Sequence, residues 1–166
     1  VALITLNKLA LPTGSVLQVV STTKTDSFTI FSHSFTDVTG LSASITPSST
    51  SSKILILLSL TIAGQDTVSG AGYQLVRGST PICIGDSAGS RLQITGMTPY
   101  IASTNSASTL TASFLDSPST TSATTYKVQV GKSVNIYVNR TEANTDGANI
   151  YQARTASTIT VMEILP

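Results

Sequence analysis

The chain has 166 residues and a mass of 17.2 kDa, which suits one domain of ordinary size that can bury a core without disulfides. Only 10% of its residues are charged and the formal net charge is +1, so no excess of positive charge exists to hold a phosphate backbone, and nucleic acid is not an expected partner. No apolar run reaches the length of a membrane span, and abundant Ser, Thr and Val beside scarce Lys and Glu tilt the chain away from helices toward strands and turns.

The opening residues 1–11 are apolar and end at the turn signal Pro12-Thr13-Gly14, so residues 1–14 read as a stem or connecting arm that needs a surface to cover it. The chain begins with Val1 and shows no signal peptide, as a processed or truncated segment would. From Ser15 the period is two: Val16, Gln18 and Val20 share a face, and Phe28, Ile30 and Phe35 belong to the next run. Asp37-Val38-Thr39-Gly40 reads as a turn before Leu41, Ala43 and Ile45, which alternate with hydroxyls. Residues 53–62 form the strongest strand signal and, apolar on both faces, a central one.

Tyr73-Gln74-Leu75-Val76-Arg77 and Ile82-Cys83-Ile84 flank a Gly78-Ser79-Thr80 turn as a hairpin. Residues 85–105 carry Gly85, Gly89, Gly96 and Pro99 and offer only a short strand piece at 91–94. Residues 109–115, 125–130 and 133–138 then read as a meander of three strands, with Tyr126, Val128 and Val130 on one face. Residues 141–148 are a polar loop, and 155–165 form a last strand packed inside its sheet. Eight to ten strands at this spacing predict an all-β antiparallel β-sandwich or jelly-roll-like domain over residues 15–166.

Chemistry-bearing motifs are few. Gly85-Asp86-Ser87-Ala88-Gly89 matches the nucleophile-elbow pattern of serine hydrolases, but no helix follows it and the single histidine, His33, precedes the serine. It is read as a loop. One His, one Cys and acids placed mostly in turns offer no metal set within one chain and no paired carboxylates, so neither a cofactor nor an enzymatic activity is expected. A histidine at a threefold axis could bring three copies to one ion. Cys83, in an apolar run, reads as a small packed hydrophobe. Asn139-Arg140-Thr141 is a formal glycosylation sequon. Tyrosines near polar loops are the better recognition candidates, because a ring can stack on a sugar while amides and guanidinium groups bind hydroxyls. These are Tyr100 and Tyr151, with Asn105, Asn149 and Arg154 beside them.

The runs Gly14-Ser15-Val16-Leu17-Gln18-Val19-Val20, Ser34-Phe35-Thr36-Asp37-Val38-Thr39-Gly40-Leu41, Ile45-Thr46-Pro47-Ser48-Ser49-Thr50-Ser51-Ser52-Lys53-Ile54, Phe114-Leu115-Asp116-Ser117-Pro118 and Thr158-Ile159-Thr160-Val161-Met162-Glu163-Ile164 resemble the terminal head domains of tail-fibre or appendage proteins from marine and cyanobacterial bacteriophages. The likeness spans most of the chain and is weakest over residues 66–105, where such heads would vary to change their ligand. It implies a virion surface protein with a trimeric β-rich head, and it carries no catalytic residues. The expected partners are two further copies, other virion proteins through the arm, and a host cell-surface glycan or protein met by loops 64–72, 85–105 and 141–148. The alternative is a structural capsid or tail decoration without a receptor role, and a weaker third is an esterase or glycosidase on the same scaffold.

Overall fold

Alternation of apolar and hydroxyl residues builds eleven strands in the computed structural model, which describes residues 11–65, 71–99, 103–131 and 135–166. They are β1 (Val16–Lys24), β2 (Phe28–Phe31), β3 (Thr36–Ile45), β4 (Lys53–Gly64), β5 (Gly72–Arg77), β6 (Thr80–Ile82), β7 (Gly96–Met97), β8 (Ser108–Asp116), β9 (Thr124–Gly131), β10 (Asn135–Val138) and β11 (Ser157–Ile164). All pairings among them are antiparallel.

In the first sheet β4 is central. Its one edge takes β8 from Ile54 to Ile62, and its other edge takes β11 and then, past Ser59, β10, which pairs in turn with β2. β1 closes the far side of β11. The second sheet runs β3-β9-β5, with β6 and β7 in succession along the outer edge of β5. Eight strands, β1-β11-β4-β8 facing β3-β9-β5-β6, thus follow the order of a jelly roll, a β-sandwich of two Greek keys.

The core lies between the sheets. Ile54, Ile56, Leu58, Leu60 and Ile62 of β4 meet Leu41, Ala43, Ile45, Leu75, Tyr126, Val128 and Val130 from the facing sheet. Burial of these aliphatic groups, about 1.5–3 kcal/mol for each full side chain, is the main force joining the layers. One polar clamp adds to it: Arg77 of β5 donates to both oxygens of Asp116 on β8 at 2.8 and 2.9 Å, and the Tyr126 hydroxyl donates to the same carboxylate at 2.7 Å. Burial, and then the carboxylate it serves, pushes the Tyr126 phenol well above its ordinary range.

Several sequence expectations change in three dimensions. Asp37-Val38-Thr39-Gly40 is no turn but the bulged middle of β3, where the pairing with β9 slips between Asp37 and Ser42 and Gly40 takes φ +81°. A slip also follows Val16, so Val16 is exposed while Gln18 and Val20 turn inward. β8, β9 and β10 are not a meander, because β9 crosses to the second sheet. Residues 91–94 form no strand; the pairing piece is β7. Cys83 packs against the core as expected but is only half-buried, and it adopts φ 54° just after β6. The last strand sits between β1 and β4, inside its sheet as expected. Of the arm at residues 1–14, residues 1–10 lie outside the described residues.

Antiparallel pairing fixes which loops share an end. Gly14 donates its N–H to the Leu165 carbonyl at 2.9 Å, so Gly14 and Leu165 meet at one end with the β3–β4, β5–β6 and β8–β9 turns. The long connections before β8 and between β10 and β11 lie at the opposite end, beside the β1–β2 turn.

Candidate functional site

A cleft of about 330 Å³ opens at that loop end, lined by Thr61, Asn105, Ala107, Thr109, Arg140, Thr141, Ile150, Tyr151, Ala153 and Thr155. Its scaffold begins where β4 exchanges one neighbour, β11, for another, β10. Asn139 stands at this gap, fully buried with φ 61°, a left-handed conformation that Asn tolerates better than most residues. Its N–H donates to Thr61 O, its carbonyl accepts from Thr155, and its side-chain amide donates to Lys24 O at 2.9 Å and Asp26 O at 3.0 Å. Ser157 Oγ donates to Asn139 Oδ1 at 2.6 Å while accepting the Thr61 N–H at 3.0 Å. With its amide occupied and buried, Asn139 is no acceptor for a glycan, whatever its sequon says.

The turn at Asn139 delivers Arg140 to the cleft. Its guanidinium stacks over the Tyr137 ring, 4.3 Å from the centroid, and is pinned by Thr141 O at 2.8 Å, Glu142 O at 3.1 Å and Thr29 Oγ1 at 2.9 Å. Burial lowers the Arg140 pKa, with Tyr137 and Glu142 opposing the shift and the charge of Arg154 adding to it. The group stays a cation at any ordinary pH.

Two bonds close the cleft's rim. Thr141 Oγ1 donates to Tyr151 O at 3.1 Å, and the Ala143 N–H donates to Thr104 O at 3.0 Å, which ties the β10–β11 connection to the segment before β8. A short 3-10 turn, Ile150–Gln152, then lifts two large apolar side chains into the open: Ile150 is 87% exposed and Tyr151 47%. Thr61 and Thr109 join their hydroxyls at 2.9 Å along the floor.

Of the five residues singled out in the sequence, the fold brings Asn105 and Tyr151 to this one cleft. Asn149 and Arg154 belong to the same connection but not to the lining, and the Asn149 amide reaches Gln152 Oε1 at 3.3 Å. Tyr100 lies outside the described residues. Sequence reasoning missed Arg140 and Ile150. The only signal for Arg140 was its place directly after an Asn that ends a strand, and that tripeptide was read as a sequon.

Among the described residues the lining offers an aromatic face, aliphatic carbons, an amide, hydroxyls and a fixed guanidinium, and no carboxylate, imidazole or thiol. Such a lining can stack on a flat apolar face and exchange hydrogen bonds with hydroxyls or amides. The Gly85-Asp86-Ser87-Ala88-Gly89 loop is exposed throughout and followed by no helix, so it forms no nucleophile elbow. His33 is also exposed, edge-on to Phe31 at 5.3 Å between centroids. Among the described residues no group of three His, Cys, Asp or Glu gathers as a metal site, and no helix is long and apolar enough to cross a membrane.

The chain matches no model of a known protein family and no curated protein.

Proposed function

We propose that this domain is a non-catalytic recognition head of a bacteriophage fibre or appendage, which contacts a glycan or glycan-bearing protein of the host cell surface through the loop-end cleft. The observation that carries the reading is polarity along the sandwich. Gly14 and Leu165 meet at one end, and the cleft with its exposed Tyr151 and Ile150, its Asn105 and its pinned Arg140 opens at the other. A head held by its arm to the virion would present this cleft outward. A rigid jelly roll that carries its variable chemistry on end loops suits such display, and three copies would give avidity to a weak sugar contact.

The test is binding of the labelled domain to an array of bacterial surface polysaccharides and to cyanobacterial cells. Tyr151→Ala and Arg140→Ala are each expected to weaken binding at least tenfold, a loss that corresponds to about 1.4 kcal/mol. Their circular dichroism should stay unchanged. Binding that both substitutions leave intact refutes the assignment of the cleft. The decoration reading is favoured by one feature, the apolar arm at residues 1–11, and predicts that the domain binds purified virion proteins and no cell.

A further inference from the structure

The two sheets present opposite chemistry to the outside. On β3, β9 and β5 the outward side chains include Asp37, Lys127, Gln129 and Gln74, and Asp37 accepts from Lys127 Nζ and Gln129 Nε2, each at 2.7 Å. That face is built for water. The outer face of β1-β11-β4-β8 carries a single apolar row in strict register, with Val19 opposite Met162, Met162 opposite Leu55 and Leu55 opposite Leu115. Val19 and Leu115, at its two ends, are 55% and 53% exposed. Val16 and Ile164 extend it on one side and Leu57 on the other.

The rows beyond hold only hydroxyls beside Leu57. Ser21, Thr160 and Ser113 come first, and then Thr23, Thr158, Ser59 and Thr111. The one charged side chain on these rows is Lys53, at the margin, where its Nζ donates to Ser117 Oγ at 2.6 Å.

We infer that this uncharged sheet face is buried against a second copy of the same chain. The inference deepens the trimeric arrangement proposed above by naming the surface, and it stands apart from what the cleft binds. Two features select a copy of this chain as the occupant. A contiguous apolar row flanked by Ser and Thr has no sign of charge, so two such faces meet without repulsion and without a charge to desolvate. Hydroxyls both donate and accept, which makes the flanking rows complementary to themselves. The size sets the strength of the contact. Four strands at about 4.8 Å and the seven residues from Lys53 to Ser59 at about 3.4 Å span roughly 460 Å², short of the ~800 Å² per partner of a stable interface, so the copies associate reversibly. The row also lies toward the end where Gly14 and Leu165 meet, so contact there leaves the cleft at the far end open.

The experiment is the solution mass of the full chain by light scattering over a wide concentration range, for the wild type, for the double variant Val19→Lys/Leu115→Lys and for Ser113→Lys. The wild type is expected as a dimer or trimer, and both variants as single chains with native circular dichroism, since all three side chains point outward. Should the double variant fail to fold, Ser113→Lys, which removes no apolar contact, decides alone. Gln129→Lys, on the other sheet, should keep the wild-type mass. A wild type that is monomeric throughout overturns the inference, and so does an oligomer that survives the folded charged variants. A monomer that becomes oligomeric once residues 1–10 are removed also overturns it, by showing that the chain's own arm covers the face. Cell binding by a monomer would leave the recognition reading standing while the interface falls; an oligomer that binds no cell would do the reverse.

Discussion

Glu163 sits in β11 with 1% of its surface exposed, and protonating it should destabilise the fold. Its carboxylate accepts the Gln18 amide at 2.7 Å, the Ser48 N–H at 2.7 Å, the Ser52 hydroxyl at 2.7 Å and the Ser48 hydroxyl. Burial on its own would raise the pKa, but these donors outweigh it and hold the group at about 2, against an ordinary 4.5. The folded state therefore binds this proton less tightly than the unfolded chain does. The stabilisation is complete above the unfolded value and disappears as pH falls from about 4.5 through about 2. At 1.36 kcal/mol for each tenfold change in proton affinity, its full size is roughly 3 kcal/mol.

Urea melts of the wild type and of Glu163→Gln, taken at several pH values between 7 and 2, test this directly. At pH 7 the variant should be about 2–3 kcal/mol less stable, because an NH₂ group now faces a donor where an oxygen accepted one. Toward pH 2 the two curves should converge, since the wild type loses what the variant never had. Curves that stay parallel across this range would refute the account, whatever their separation.

Asn139→Ala should cost about 3 kcal/mol in the same urea assay, because it strands Ser157 Oγ and two backbone carbonyls and puts a Cβ without compensation at φ 61°. Asn139→Gly, which relieves only the backbone, should recover a fraction of that. Asp116→Ala should lower stability by roughly 3 kcal/mol, as it leaves Arg77 and the buried Tyr126 hydroxyl without their acceptor, while Tyr126→Phe alone should cost about 1–2. Gly131→Ala should be poorly tolerated, with a loss of 2 kcal/mol or more on the order of an overpacked core. An added Cβ there would collide with the Ser34 carbonyl oxygen and lie 2.9 Å from its carbon and 3.0 Å from Phe35 Cα, all backbone that cannot step aside. A native-like melting temperature for this variant would mean that the loop between β2 and β3 yields more readily than its packing indicates.

What the sequence discloses is the inside and outside of each strand. Alternation set Tyr126, Val128 and Val130 of β9 on one face, and all three are fully buried. Periodicity is a local property, and it survives folding wherever the strand runs straight. It failed at Gly40 and after Val16, where an extra residue shifts the pleat without changing the pattern of residue types. It was silent on which sheet each strand joins. Residues 109–138 look like a meander along the chain, yet β8 and β9 face each other across the core, because pairing with β4 on one side and with β3 and β5 on the other is decided by partners distant in sequence.

The cleft was half legible for a related reason. Loop position and residue type pointed to Tyr151 and Asn105, which lie 46 positions apart and meet only because the Ala143 N–H reaches Thr104 O. Arg140 could not be read, since what aims it is the left-handed turn at Asn139, and that turn exists to satisfy β4 where its neighbour changes from β11 to β10. The element that orients the guanidinium is thus the same one that completes the sheet. It follows that conservative change at Asn139 should disturb binding and stability together, whereas change at Tyr151 should disturb binding alone. That difference between two residues twelve positions apart separates scaffold from contact surface in a way that no inspection of the loop's composition could.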